Sequence, residues 1–191
     1  MARPKSEDRR ASLLAAARTV FAEHGLAAPT SLIASTAGVS DGSLFTYFKT
    51  KDELLNVLYR ELRLELSDFV LAAYPRKAGV RERFEHVFRS YVTWGVENPP
   101  SRKVMRQLYL SKAITPELRA EISPVVAEVA RLKADAAEQK KLADIPADLA
   151  AQTLKALAEM TMDLVEQHPE APDTYLALGF QMLWGAFAKK A

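Results

Sequence analysis

Ser43, Phe45, Thr46 and Tyr47 crowd one short segment, "SDGSLFTYF", which runs from Ser40 to Phe48. Hydroxyls so placed can reach base edges or phosphates, and aromatic rings can cover thymine methyls, when a helix enters a major groove. No other part of the chain gathers reactive groups in this way. His24, His86 and His168 are scattered, with no carboxylate or thiol at metal-ligand spacing. His24 and His168 fall near expected helix C-termini, where a partly positive imidazole is welcome. The sequence holds no P-loop, dinucleotide fingerprint or nucleophile elbow. An enzyme is therefore not expected, and neither a metal nor a cofactor is called for.

The elements that must hold this segment are helical. Of the 191 residues 49% are hydrophobic, enough for a packed core. Cysteine is absent, which excludes disulfide and thiolate chemistry and fits a reducing cytoplasm. The N-terminus, "MARPKSEDRR", has no apolar signal-peptide core. The longest nearly uncharged run, "YLALGFQMLWGAFA", is too short to span a bilayer and reads as a buried helix. A soluble, cytoplasmic protein is the expectation. Net charge is +2, and residues 1–60 hold the whole excess, 8 Lys and Arg against 6 Asp and Glu.

No stretch alternates as a strand would, whereas helical periodicity and helix punctuation recur throughout. Ser6 is placed to cap a first helix with Glu7 and Asp8 in its opening turn, an apolar stripe from Leu13 to Phe21, and Gly25 as its end. A short helix through Ile33 and Ala34 leads to Gly38. Ser40 is placed to cap the next, which ends near Phe48. Thr50 and Glu53 form a capping box for a long helix reaching about Tyr74–Pro75. "NPP" stops the fifth helix, and Thr115–Pro116 and Ser123–Pro124 each read as a cap followed by a first-turn proline. The last two helices run from about Pro146 to Gln167 and from Pro172 to Lys189. "AEVARLKADAAEQKKLA" reads as solvated on one side. The sum is nine or ten helices, an all-α protein.

Two short helices joined by a glycine turn make a helix-turn-helix. Gly38 tolerates positive φ, Ala34 lets the helices cross closely, and Val39 drops into the core beneath. Leu44 and Phe48 anchor the second helix, which is too short to be stable alone. Its other face is left for contact, and such a helix enters a major groove N-terminus first. A Gly corner that binds nothing is the plainer alternative.

At these residues the sequence resembles the tetracycline-repressor (TetR) family of transcriptional regulators. The family pattern is matched by "IASTAGVSDGSLFTYFKTKDELL", with "AARTVFAEHG" upstream as its first helix, over about fifty residues. The resemblance implies that Ser43, Phe45 and Thr46 face bases or nearby backbone and that Tyr47 and Lys51 grip phosphate. It implies further that Gly42 lets the duplex come close and that Thr30 adds a phosphate contact. With Ser40 at the helix start, these eight are the candidate DNA-binding residues. Three positions depart from the pattern: Phe45 where many members have tyrosine, Asp41 where many are neutral or basic, and Pro29 where a hydroxyl residue is common.

The implied organisation is an N-terminal three-helix DNA-binding domain, residues 1–50, joined to a C-terminal helical bundle, residues 51–191, for ligand binding and dimerisation. Phe84, Phe88, Tyr91, Trp94, Met105, Tyr109, Met160 and Trp184 are candidates to line an apolar effector cavity, although each such residue is more often plain core. Phe88, Tyr91, Trp94, Met105, Tyr109 and Met160 are the preferred six. The basic group Arg102, Lys103 and Arg106 reads as solvated surface, with an anionic effector as the alternative. Leu157 and Leu164 of the penultimate helix, with Leu176, Phe180, Leu183, Trp184 and Phe187 of the last, are the candidate homodimer contacts. Closure of the monomer's own core is the other reading. The functional expectation is a dimeric repressor released from a palindromic operator by a small apolar or amphipathic effector. The alternatives are a DNA-binding protein whose bundle serves only dimerisation or protein docking, and a ligand-binding bundle with a vestigial helix-turn-helix.

Overall fold

The computed structural model describes residues 5–139, 142–143 and 145–189. Ten helices are present among them: α1 (Lys5–His24), α2 (Thr30–Thr36), α3 (Asp41–Tyr47), α4 (Lys51–Leu71), α5 (Val80–Glu97), α6 (Pro99–Leu110), α7 (Pro116–Ala120), α8 (Pro124–Glu138), α9 (Ala147–Gln167) and α10 (Pro172–Phe187). Among the described residues extended pairing is confined to one isolated antiparallel bridge, Leu142 with Ala188. The protein is all-α, as the periodicity predicts.

Two compact units divide the chain, residues 1–63 with 98–121 and residues 64–97 with 122–191. The first therefore takes in more than the helix-turn-helix third, because α6 and α7 return to it. α6 packs on α1. Asn56 of α4 holds the α6–α7 connection: its amide donates to the Ala113 carbonyl at 2.7 Å and accepts from the Thr115 N–H at 3.0 Å. Arg63 donates to the Leu118 carbonyl at 2.7 Å. This unit's core joins Leu13, Ala17, Phe21, Ile33, Leu44, Phe48, Leu54 and Leu58 to Val104 and Leu108. The unit carries 14 Lys and Arg against 9 Asp and Glu, the other 12 against 15, so its positive excess is larger than that of residues 1–60 alone.

The second unit packs α5, α9 and α10 together, with α8 against α5. Phe88, Val92, Leu132, Ala158, Met162, Phe180 and Leu183 fill its core. Where α10 packs on α9, a Cβ at Gly179 would collide with the Thr161 hydroxyl and come within 3.2 Å of the Phe88 ring, so any larger residue forces these side chains to shift. Several charged and polar groups that enter this unit are paired, although the Tyr74 hydroxyl and the Arg83 Nε are buried without a hydrogen-bond partner among the described residues. Arg83 donates to Asp135 at 2.8 Å, Glu128 receives Arg76 at 2.8 Å and Arg131 at 3.1 Å, and the His86 ring meets the Val70 carbonyl at 2.8 Å.

Several local expectations shift. Ser6 is not a cap, since α1 is already running at Lys5. α4 ends at Leu71 rather than near Tyr74. Thr115 does cap α7, accepting from the Leu118 N–H at 3.3 Å, but Ser123 makes no side-chain cap bond to α8. One face of α8 is solvated while Leu132 and Ala136 are buried; Lys140 and Lys141, at the end of the same charged stretch, lie outside the described residues.

Candidate nucleic-acid interface

α2 ends in a Schellman turn. The Val39 N–H reaches the Ala34 carbonyl at 2.9 Å and the Gly38 N–H reaches Ser35 at 3.1 Å, with Gly38 at φ +70°. A non-glycine residue adopts that conformation only at a cost, so Gly38 fixes the angle at which α3 leaves α2. Ala34, 1% exposed, lies under the crossing, and Val39 is partly buried against the same core.

α3 spans seven residues, too few to persist alone. Leu44 and Phe48, both at 0% exposure, hold it down, each worth about 1.5–3 kcal/mol of apolar burial. Phe48 also lies under the Arg10 guanidinium, 5.3 Å from the ring centre, and Arg10 reaches Glu61 of α4 at 3.7 Å. The opposite flank is open: Phe45 is 43% exposed, Gly42 and Thr46 are exposed, and Ser43 and Tyr47 are half-buried.

Ser40 occupies the N-cap position with extended backbone, yet its hydroxyl does not cap the helix as expected. It instead meets the Ser43 hydroxyl at 2.8 Å. The reason is local: the Ser40 carbonyl already receives the Ser43 N–H at 2.9 Å, and the two side chains then face each other on the exposed surface. Thr46 turns its hydroxyl back toward the Gly42 carbonyl at 3.4 Å, a long bond that a better acceptor can displace. Asp41 is the first residue of α3 and is exposed.

After α3 the capping box at Thr50 forms in altered shape. The Thr50 hydroxyl accepts from the Glu53 N–H at 3.0 Å, while the Glu53 carboxylate takes the Lys49 N–H at 2.7 Å, one residue earlier than the usual partner. Lys51, half-buried, donates its ammonium to the Ala28 carbonyl at 2.6 Å and lies 5.8 Å from the Phe21 ring centre. Thr30, at the first position of α2, follows Pro29 in the cap position and is half-buried. Seven of the eight candidate residues thus lie between Ser40 and Lys51, with Thr30 at the start of the neighbouring helix. A residue that sequence reasoning missed is Arg9 of α1, which lines a hollow together with Gly38, Val39, Ser43, Thr46 and Tyr47. Its distance in sequence from α3 left no local signal.

The remaining candidates scatter. Met105 and Tyr109 belong to the first unit, whereas Phe88, Tyr91, Trp94 and Met160 belong to the second. Phe88 and Trp94 are buried at 0% and 3% exposure, while Met160 is 37% exposed. Among the dimer candidates, Phe180, Leu183 and Phe187 are buried in the second unit's own core and present no surface; Leu157, Leu164, Leu176 and Trp184 are half-buried. The outward positions of α10 are instead Leu178 and Met182. Because α10 is apolar nearly all round, its sequence does not say which side faces in. Among the described residues no group of His, Cys, Asp and Glu is arranged to hold a metal, and no helix is long and apolar enough to cross a membrane.

Residues 13–58 match the family model described as bacterial regulatory proteins, tetR family. The whole fold is shared with solved structures at low identity. A TetR family transcription regulator from Marinobacter aquaeolei VT8 aligns at 22% identity and TM-score 0.88, covering 99% of this chain and 100% of that one. A chain from Shewanella sp. PV-4 assigned to the same family aligns at 22% identity and TM-score 0.86, covering 95% and 99%. The TetR-like transcriptional regulator LfrR from Mycobacterium smegmatis, solved in complex with proflavine, aligns at 19% identity and TM-score 0.66, covering 96% and 99%.

Proposed function

We propose that this chain is a TetR-family transcriptional regulator, a dimeric repressor released from a near-palindromic operator by a small apolar or amphipathic effector; the match of residues 13–58 to the family model supports the assignment. One observation carries the DNA-binding part: α3 has its apolar side locked by Leu44 and Phe48 while Phe45, Thr46 and Gly42 remain uncovered. A helix held rigidly on one face and polar on the other suits a major groove, which admits a single helix. Ser43, Phe45 and Thr46 read base edges; Ser40, Tyr47, Lys51 and Thr30 hold backbone; Gly42 keeps the approach close. The surplus of cations in the first unit supplies the sequence-independent attraction.

Dimerisation is supported by the outward face of α9 and α10, where Met160, Leu178 and Met182 are 37%, 49% and 55% exposed. Two copies related by a two-fold axis would cover this face isologously and set two copies of α3 against successive grooves, about 34–36 Å apart. The complex of LfrR with proflavine supports a small-molecule effector for a fold of this kind. The effector acts by population shift, relieving repression only to the extent that it binds one arrangement of the bundle better than the other.

Selection of duplexes from a random pool by the full-length chain tests the reading. Enrichment of an inverted repeat, with affinity falling steeply as salt rises, is the expected result. Failure to enrich any repeat removes the DNA-binding function. The rival without an effector draws on the complete burial of Phe88 and Trp94, whose rings are already covered by protein. A thermal-shift screen across lipophilic compounds separates the two, a ligand-dependent rise in melting temperature favouring the effector.

A further inference from the structure

The hollow beside α3 is built from two elements far apart in sequence. Arg9 of α1, the turn residues Gly38 and Val39, and Ser43, Thr46 and Tyr47 of α3 line it. Its hydrogen-bonding capacity can be counted donor by donor. The Gly38 and Val39 N–H groups are spent on Ser35 and Ala34. Thr46 gives its hydrogen to Gly42, and Ser43 shares one with Ser40. Arg9 and the Tyr47 phenol have no such engagement among the described residues. Arg9 is exposed and enters no ion pair, hydrogen bond or ring contact there, unlike the adjacent Arg10, which is committed to Glu61 and Phe48. Its neighbours Glu7 and Asp8 have interactions of their own.

A guanidinium, a phenol and a serine hydroxyl lining one hollow make a donor set for a tetrahedral oxyanion. We propose that this hollow seats one backbone phosphate of the duplex, and that Arg9 of α1 is a phosphate-binding residue of the interface, acting with Tyr47. The assignment rests on the DNA-binding reading above and adds to it a contact from outside the helix-turn-helix. Held from α1 and α3 at once, that phosphate fixes the depth and tilt at which α3 lies, while carrying no sequence information itself.

The test uses the full-length chain on its selected operator and on an unrelated duplex, with Arg9→Ala and Arg9→Lys variants checked for unchanged melting temperature. Arg9→Ala is expected to weaken both duplexes roughly three- to tenfold at moderate salt. It should also lower the slope of log affinity against log salt by about 0.9, the share of a single neutralised phosphate. Arg9→Lys should restore the slope but not all of the affinity, because an ammonium lacks the fork. Unchanged slope and affinity in Arg9→Ala, or a weakening confined to the selected operator, overturns the proposal. So does sub-millimolar binding of inorganic phosphate to the protein without DNA, which would make the hollow an independent anion site. If the wild-type chain binds no duplex at all, it is the functional reading that has failed, not this residue assignment alone.

Discussion

The Lys51 ammonium donates to the Ala28 carbonyl at 2.6 Å, tying the first turn of α4 to the loop that enters α2. This bond gives a residue expected only to grip phosphate a second task, orienting the helix pair from below. Lys51→Ala should therefore do two things. It should weaken all duplexes alike, and it should lower stability by on the order of 1–2 kcal/mol through loss of a charge-assisted bond. Denaturant melts run beside binding isotherms check this; weakened binding with an unchanged melt would mean that the Ala28 contact contributes nothing.

Thr46→Ala separates reading from holding. Its hydroxyl is retained within the helix only by a 3.4 Å bond to Gly42, so removing it should leave the fold within about 0.5 kcal/mol. Preference at one operator position should relax by about 1–3 kcal/mol. Competition binding against single-base operator variants measures it. Equal losses on operator and unrelated DNA contradict a base-reading role.

Gly38→Ala and Gly179→Ala should fail for different reasons. Nothing lies within 4 Å of a Cβ at Gly38, so the cost there is backbone strain alone, about 1 kcal/mol, and Gly38→Asn should recover part of it. At Gly179 the added methyl meets Thr161 and Phe88, an overpacking cost of about 1–3 kcal/mol that Thr161→Ala should reduce. Paired thermal melts of single and double variants decide; rescue of Gly179→Ala by Thr161→Ala is the discriminating result.

Met182→Glu addresses the outer face of α10. Met182 is 55% exposed, so a charge there leaves the second unit's core intact. Sedimentation should show a shift from dimer to monomer at unchanged helicity. A persisting dimer would place the two-fold contact elsewhere.

Burial holds the phenols of Tyr59 and Tyr74 above the ordinary tyrosine range, although nearby Arg63 and Arg83 respectively pull the other way. Both should stay protonated in the native state to higher pH than in the denatured chain. Their folded values being raised, the stability linked to them is complete below the unfolded tyrosine value and is lost as pH climbs through the folded one. Ultraviolet titration of native and guanidine-denatured protein, with Tyr59→Phe and Tyr74→Phe, measures the gap.

The local rules of helix punctuation made much of this legible in the sequence. Gly38, the Thr50–Glu53 pair, the "NPP" stop and the Leu44/Phe48 anchors all behave as their types demand. What the sequence hid was anything decided at long range. Asn56 gathering α6 and α7 into the first unit spans 57 residues, and no periodicity announces such a bond. Arg9 lines the same hollow as Ser43, Thr46 and Tyr47 only because the fold brings α1 beside α3. α10 was hard to orient for the opposite reason: with apolar residues on every side, its pattern does not separate Phe180, Leu183 and Phe187, which are buried, from Leu178 and Met182, which are exposed.

The contact at Gly179 has a mechanical consequence. A hydroxyl lodged in the gap left by a missing side chain works as a peg in a notch, so α10 cannot ratchet one turn along α9 without lifting Thr161 clear. Such close packing favours movement of the two helices as a pair in any rearrangement that involves them.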